Sequence, residues 1–133
     1  MITPDRLPLA ALEFLAERHH ATLVTVRADG SPHAVPVGFG WDQQRHLVRI
    51  ITFASSVKAR HAARGGRAAI SQVDGARWLT LEGTIRLATD GESVALAVAA
   101  FAARYRTPGE RADRVAIEID VDRVLGSGRM LGR

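Results

Sequence analysis

The residues best suited to chemistry lie in one short segment, Thr52–Arg60, which reads TFASSVKAR. An extended stretch leads into Ser55 and Ser56, and Lys58 and Arg60 follow within about one helical turn. Backbone N–H groups at a helix start, together with hydroxyls and cations, are what binds a phosphate monoester. The same residues also fit an ordinary capped helix with a solvated basic face, so the segment by itself leaves both interpretations open.

Lys58 is the one lysine in the chain, and every other Lys or Arg position is arginine. A compact ammonium is not interchangeable with a planar guanidinium, so a lone lysine marks either chance or a site that requires it. Arg64 and Arg67 lengthen this basic run and make RNA binding a further alternative. Aromatic residues make up 5% of the chain and do not interleave with the basic run, which argues against a base-stacking surface.

No residue is predicted to act as a catalytic acid, base or nucleophile. His19 and His20 are adjacent and cannot both face one ion from regular structure, and we expect no carboxylate at ligand spacing, so no metal site is predicted. His33 and His46 are placed in predicted strands. Ser/His/Asp order and a nucleophile elbow are both absent, which favours a bound cofactor as the source of the chemistry.

Composition predicts one ordinary globular domain over residues 1–133, because 47% of the residues are hydrophobic and 24% are charged. The absence of cysteine excludes disulfides, thiolate metal sites and a cysteine nucleophile. A net charge of +4 favours an acidic partner, which nucleic acid, anionic lipid or a phosphorylated cofactor would satisfy. Met1–Pro8 lacks the pattern of a signal peptide and no apolar run reaches about 18 residues, so a cytoplasmic protein without a membrane span is expected.

Hydrophobic periodicity predicts three helices and six strands in the order α-β-β-β-α-β-β-α-β. The predicted helices are Pro8–Arg18, Ser55–Ala63 and Ser93–Arg106. The predicted strands are Ala21–Arg27, Pro32–Gly40, His46–Thr52, Arg67–Val73, Arg77–Ala88 and Arg114–Val124. Asp29-Gly30 and Asp74-Gly75 are hairpin signals, and the first three strands are predicted to form a meander.

The fold predicted from these elements is mainly β with flanking helices (α+β), a six-stranded antiparallel and partly open β-barrel. Gly83, in the middle of a long strand, predicts the bulge that such a barrel needs. The strands do not alternate regularly with helices, and no GxGxxG motif is present. A doubly wound dinucleotide fold is therefore not favoured.

Four segments together resemble a known family. Thr22–Asp42, Arg49–Arg60, Ala68–Gly83 and Arg114–Ser127 are similar, in this order, to the flavin/deazaflavin oxidoreductases, which are split barrels related to pyridoxamine 5′-phosphate oxidase. Within the family, SQVDGARWLTLEG and the later RYRTP most resemble the actinobacterial biliverdin reductases that use coenzyme F420. The resemblance implies the FMN-binding type of split barrel and a homodimer with two cofactor grooves at the subunit interface.

The resemblance also implies which residues line the cofactor groove. The strand along the deazaflavin ring is matched by Val35, Pro36, Val37, Gly38 and Phe39, and the strand end beneath the ring by Thr52. The phosphate-gripping motif is matched by Ser56, Val57, Lys58 and Arg60. The stretch that reaches the cofactor from the barrel rim is matched by Ala76, Arg77, Trp78 and Leu79. His61 stands where several relatives carry asparagine.

The implied reaction is hydride transfer from reduced F420 to a methine bridge of a linear tetrapyrrole, which converts biliverdin to bilirubin. Four arginines are candidates for the acidic F420 tail and the substrate propionates, namely Arg60, Arg64, Arg67 and Arg77. The alternatives are an enzyme of the same fold that uses FMN or another substrate, a non-catalytic cofactor or tetrapyrrole carrier, and, last, a nucleic-acid-binding module. The proton donor stays unassigned.

Overall fold

The computed structural model describes residues 1–133. Three α-helices and seven strands follow one another in the order α1 Leu9–Ala16, β1 Ala21–Val26, β2 Pro32–Val37, β3 Gly40–Asp42, β4 Leu47–Phe53, α2 Val57–Arg64, β5 Arg67–Asp74, β6 Arg77–Ala88, α3 Gly91–Arg104 and β7 Arg114–Gly126. Short 3-10 turns lie near the two termini, at Pro4–Arg6 and Gly128–Leu131. None of the helices combines the length and the apolar composition that crossing a membrane requires.

All seven strands form one antiparallel sheet in the order β2-β1-β5-β6-β7-β4-β3. Its two edges, β2 and β3, are separated in the chain by Gly38 and Phe39 alone. A link of that length spans only about 10 Å, so the end of β2 lies close to the start of β3, although the two edge strands form no ladder. The sheet therefore curls into a barrel that stays open between β2 and β3, which confirms the predicted split barrel.

Both predicted hairpins are confirmed. Asp29-Gly30 joins β1 to β2, and Gly30 has a φ of 88°, in the left-handed region that turn glycines occupy. The Asp29 carboxylate accepts hydrogen bonds from the backbone N–H and the hydroxyl of Ser31, which fixes this turn. Asp74-Gly75 joins β5 to β6 in the same way, with Asp74 opposite Arg77.

The predicted bulge at Gly83 is also confirmed. The register of β6 against β7 shifts between Glu82 and Gly83, so that Glu82 lies opposite Arg123 while Gly83 lies opposite Val121. A Cβ on Gly83 would lie 1.8 Å from the carbonyl oxygen of Asp120. Only glycine permits this approach, and the bulge bends the longest strand around the barrel.

Three expectations are wrong in detail. The predicted strand Pro32–Gly40 is interrupted, which gives seven strands in place of six. The first strands do not form a meander, because β4 pairs with β3 and β7 and not with β2. His46 lies in the turn before β4 with a φ of 54°, not in a strand. Local alternation locates strands but does not specify which distant strand each one joins.

Alternate strand positions fill the barrel. Val48 and Ile50 of β4, with Ile117 and Ile119 of β7, point into one buried hydrophobic core, and Phe14 of α1 joins the same cluster. Residues of the opposite parity on β4 and β7 face outward, where α3 packs against both strands.

Candidate functional site

The turn between β4 and α2 is built by two hydroxyls. Ser56 is the N-cap of α2, and its Oγ accepts a hydrogen bond from the backbone N–H of Ala59 at 3.1 Å. The Thr52 hydroxyl donates to the same Oγ at 2.9 Å, and both side chains are buried. Since Ser56 Oγ accepts both bonds, its own proton is available to an acceptor outside the helix.

Two cations lie on the first turn of α2 without a carboxylate partner. Lys58 forms no ion pair, and Arg60 donates only to the backbone carbonyl of Ser55 at 3.3 Å. Arg67, Arg77 and other arginines of this chain, by contrast, are paired with acids. Two uncompensated cations beside the positive end of a helix favour a bound phosphate group.

The strand that contains Val35, Pro36 and Val37 is an edge of the sheet. Val35 lies opposite Leu23 of β1, and no strand pairs with the other side of β2. Val37 is buried, whereas Pro36 is exposed. An edge strand presents backbone N–H and C=O groups that no neighbour satisfies, so this strand can hydrogen-bond a planar ligand that lies along it.

Arg104, at the end of α3, fixes the link between the two sheet edges. Its guanidinium donates to the carbonyl oxygens of Phe39 at 2.9 Å and Glu17 at 2.8 Å, and to the amide oxygen of Gln72. The same guanidinium lies 4.6 Å from the centre of the Phe39 ring. One side chain thus ties the open side of the barrel to α1 and β5.

Tyr105 completes this arrangement. Its hydroxyl accepts the backbone N–H of Phe39 at 3.2 Å and donates to the carbonyl oxygen of His19. Phe101 and Tyr105 also pack against Gly38, where a Cβ would lie 3.0 Å from each ring. The Gly38–Phe39 segment, which the family resemblance predicts to lie along the cofactor ring, is therefore held by the end of α3.

An open cavity of about 290 Å³ lies beside Thr52 on the outer face of β4. Its apolar wall is formed by Ile51, Phe53 and Phe101. Three arginines also line it, namely Arg106, Arg111 and Arg114, together with Pro108 and Gly109. A larger cavity of about 580 Å³ lies between the start of α3 and the 110–114 segment, and it contains none of the predicted site residues.

Arg77 is bound within its own chain. Its guanidinium contacts both carboxylate oxygens of Glu17, at 2.8 and 2.9 Å, and the carboxylate of Asp74 at 2.6 Å. It also lies over the ring of Phe14 at 4.6 Å. The bonds from Arg77 lower the pKa of Glu17 to about 2, so this ion pair stays charged at neutral pH. Its role in the fold is to hold the β5–β6 hairpin against α1.

The other residues of the 76–79 segment differ in exposure. Leu79 is in the core, while Ala76 and Trp78 are exposed. Trp78 lies directly opposite Val73 across the hairpin, and the two side chains, 38% and 65% exposed, form an apolar pair on one face. Such a pair is well placed to contact a second molecule.

The structure does not bring the 76–79 segment to the Thr52 cavity. Thr52 lies opposite Val115, near the beginning of β7, whereas Leu79 lies opposite Gly126 at its end. These two positions are separated by roughly 35 Å along the strand. Within one chain, the predicted cofactor residues therefore fall into two groups.

Most of the arginines predicted to bind ligand carboxylates have partners in the fold. Arg67 makes a bidentate pair with Asp122 at 2.6 and 2.8 Å, and Arg64 donates to the backbone carbonyl of Val26. Arg77 is bound as described above. Arg60 keeps its charge uncompensated. The sequence reasoning overlooked Arg106, Arg111 and Arg114, although the run of arginines that follows α3 was a visible signal.

His19 has the carboxylate neighbours that the sequence did not predict. Its Nε2 lies 2.9 Å from Glu17 and 3.9 Å from Asp74, and ligand atoms of the three residues lie within 4.8 Å of one another. The guanidinium of Arg77 is bonded to both acids and already supplies the cation there. The cluster is an ion-pair network of the fold.

His61 is buried between α2 and the β1–β2 hairpin. Its Nδ1 is 2.7 Å from the Thr25 hydroxyl, and its ring meets the edge of the His33 ring at 5.0 Å between centroids. Burial lowers the pKa of His61, and the charges of Arg64 and other neighbouring cations act in the same direction. His61 is therefore neutral near pH 7 and faces the interior.

The chain is similar to known proteins over nearly its full length. The family model described as pyridoxamine 5′-phosphate oxidase matches residues 7–128. An F420H(2)-dependent biliverdin reductase of Mycobacterium tuberculosis (strain CDC 1551 / Oshkosh) is 51% identical over 131 residues, which cover 98% of this chain and 96% of that protein.

Solved structures show the same fold. A conserved hypothetical protein from Mycobacterium tuberculosis superposes with a TM-score of 0.75 at 20% identity, covering 100% of this chain and 94% of the other. The structure of an F420 reductase superposes with a TM-score of 0.72 at 24% identity, covering 90% of this chain and 98% of the other. At these identities the likeness concerns the fold alone.

Proposed function

This chain belongs to the pyridoxamine 5′-phosphate oxidase family, and we propose on that premise that it is an oxidoreductase that transfers a hydride from reduced coenzyme F420 to biliverdin. The observation that carries the proposal is the start of α2, where the Ser56 cap is joined by two cations without carboxylate partners, Lys58 and Arg60. A nearly full-length relative that is 51% identical and named for this reaction supports the substrate.

The residues fit a phosphorylated cofactor. We expect the phosphate to accept hydrogen bonds from the Ser56 hydroxyl and from the side chains of Lys58 and Arg60. The ring would lie along the unpaired edge of β2, from Val35 to Val37, with Thr52 beneath it. Bound F420H2 supplies the hydride, and the protein binds and orients the two conjugated ring systems face to face.

Each groove is proposed to require two chains. The two groups of predicted cofactor residues lie near opposite ends of β7, at Thr52 and at Leu79. In a homodimer, the hairpin of one chain can reach the Thr52 end of its partner. The exposed pair of Val73 and Trp78 on that hairpin supports this arrangement, because large apolar side chains are enriched at interfaces.

Turnover of the pure protein tests the proposal. Mixing it with F420H2 and biliverdin without oxygen should form bilirubin and oxidised F420 in equal amounts. Lys58→Ala should lower kcat/KM by about tenfold or more, because a charge-assisted hydrogen bond to phosphate is lost. Arg45→Ala, in the exposed turn before β4, is the matched control and should leave the rate unchanged.

The same assay separates the alternatives. F420 binding without bilirubin formation would contradict the enzymatic proposal and favour a cofactor carrier. Turnover with reduced FMN but not with F420H2 would retain the fold and the phosphate site while overturning the choice of cofactor.

A further inference from the structure

We infer that Arg106 and Arg114 form a subsite for ligand carboxylates in the cavity beside Thr52, next to the Arg111–Asp113 ion pair. The inference rests on the proposed function, because it concerns the anionic groups of the same two ligands. It also replaces the assignment of this role to Arg67 and Arg77, whose guanidinium groups form ion pairs with acids of the chain.

The cavity beside Thr52 carries unpaired positive charge. Arg106 and Arg114 form no ion pair with any acid of the chain, and both line the cavity. Arg111 is bonded to Asp113 at 2.6 Å, which compensates one of the three positive charges. The cavity therefore keeps two uncompensated guanidinium groups, each able to bind a carboxylate with two parallel hydrogen bonds.

The arginines are attached to ordered parts of the fold. Arg114 begins β7 and lies directly opposite Phe53 of β4, so its side chain leaves the sheet on the face that lines the cavity. The Arg111 guanidinium lies 4.3 Å from the centre of the Phe53 ring. Arg106 follows α3 immediately after Tyr105, which is bonded to Phe39 and His19.

The apolar wall completes the match to an amphipathic anion. Ile51, Phe53 and Phe101 give the cavity a hydrophobic side opposite the arginines. Phe101 also packs against Gly38, in the segment that we place at the cofactor ring. A ligand that lies between these walls would place an apolar body beside the ring site and its carboxylates at the arginines.

Two ligands of the proposed reaction carry such carboxylates. Biliverdin has two propionates on apolar pyrrole rings, and the F420 tail is a chain of glutamates attached through the phosphate. The shared chemistry is the carboxylate group. The experiment therefore needs one arm for each source.

The test uses the double variant Arg106→Gln/Arg114→Gln, which removes the two unpaired cations and leaves the Arg111–Asp113 pair. Arg45→Gln, at the opposite end of β4, is the matched control. One arm measures the Kd of oligoglutamyl F420 and of F420 without its glutamates. The other measures the Kd and KM of biliverdin and of its dimethyl ester, whose propionates are uncharged.

We expect the double variant to bind the charged ligand about tenfold or more weakly than the wild type does. Binding of the uncharged or tail-free counterpart should be unaffected. A change in the biliverdin arm assigns the arginines to the propionates, and a change in the F420 arm assigns them to the tail. Equal changes for charged and uncharged forms, or no change in either arm, would overturn the inference. Wild-type protein that binds no F420 would overturn the proposed function itself, and the inference with it.

Discussion

At the scale of single residues, Ser56 and Lys58 have different roles at the start of α2. Ser56 is buried and its oxygen caps the helix, so replacing it would damage the fold as well as any ligand site. Lys58 contributes no hydrogen bond or ion pair to the fold, and its removal should affect binding alone. A lysine variant is therefore the cleaner probe of the phosphate site.

His61 gives a prediction about stability and pH. The folded protein holds His61 with a lowered pKa, whereas the unfolded chain takes up a proton near the ordinary value of 6.5. The unfolded state thus binds more protons below about pH 6.5, so the free energy of unfolding should be highest above this pH and fall as the pH drops through it.

The variant His61→Asn should remove this decrease in the free energy of unfolding at low pH, because an asparagine carries no titrating group. Denaturant unfolding between about pH 5 and pH 8 measures it, with exposed His20→Asn as the control that should retain the wild-type profile. A His61→Asn profile that still falls below pH 6.5 as steeply as that of the wild type would contradict the assignment.

At the scale of elements, the open side of the barrel depends on the end of α3. The β2 and β3 edges form no ladder with each other, so Phe39 relies on its hydrogen bonds with Arg104 and Tyr105, and Gly38 relies on packing by Phe101 and Tyr105. Because β2 carries the proposed ring site, the end of α3 positions that site through Gly38 and Phe39. This gives a reason for Arg104, the one cation of α3, at the end of the helix.

Tyr105→Phe should lower the free energy of unfolding by about 1–3 kcal/mol, because it removes the hydroxyl that bonds Phe39 and His19 but keeps the ring. Denaturant unfolding measures this loss. Hydrogen exchange of the Phe39 amide should accelerate more than global unfolding explains.

The matched control for this variant is Thr80→Val, which removes a side-chain hydrogen bond to Ser71 on a distant part of the sheet. It should destabilise the protein without a local effect at Phe39. Exchange at Phe39 that changes equally in both variants would contradict the positioning role of Tyr105.

Some features of individual elements could be predicted from the sequence, and others could not. Asp29-Gly30, Asp74-Gly75 and Gly83 act through their own backbone conformation, so their turns and bulge could be read from local pattern. The break of the second strand at Gly38 could not, because it depends on packing by Phe101 and Tyr105 from a distant helix.

The candidate site was predictable to a similar extent. The Thr52–Arg60 segment carries its cap and its cations within one stretch of chain, so residue types made a phosphate site possible but did not distinguish it from an ordinary capped helix. The ion pairs of Arg67 and Arg77 could not be predicted from the sequence, because Asp122 and Glu17 are distant in the chain and come into contact with them only in the folded protein. The cavity arginines needed the β4–β7 register, which places Arg114 opposite Phe53.

At the scale of the whole molecule, the proposed cofactor groove requires residues of two chains. A solution mass of twice the 14.4 kDa chain is expected by size-exclusion chromatography with light scattering. Val73→Asp should weaken the assembly, because it buries a charge beside Trp78, while Leu96→Asp on α3 is the exposed apolar control. A monomer that binds F420 and turns over as well as the dimer would contradict the shared groove.

The start of α2 is proposed to hold the phosphate of F420, and a binding titration measures this contact separately from hydride transfer. Wild type, Lys58→Ala and Arg45→Ala are each titrated with F420 and with FMN. We predict micromolar F420 binding by the wild type, weaker FMN binding, and a loss of about tenfold or more in Lys58→Ala alone. Tighter binding of FMN, or F420 binding that is unaffected by Lys58→Ala, would contradict the account.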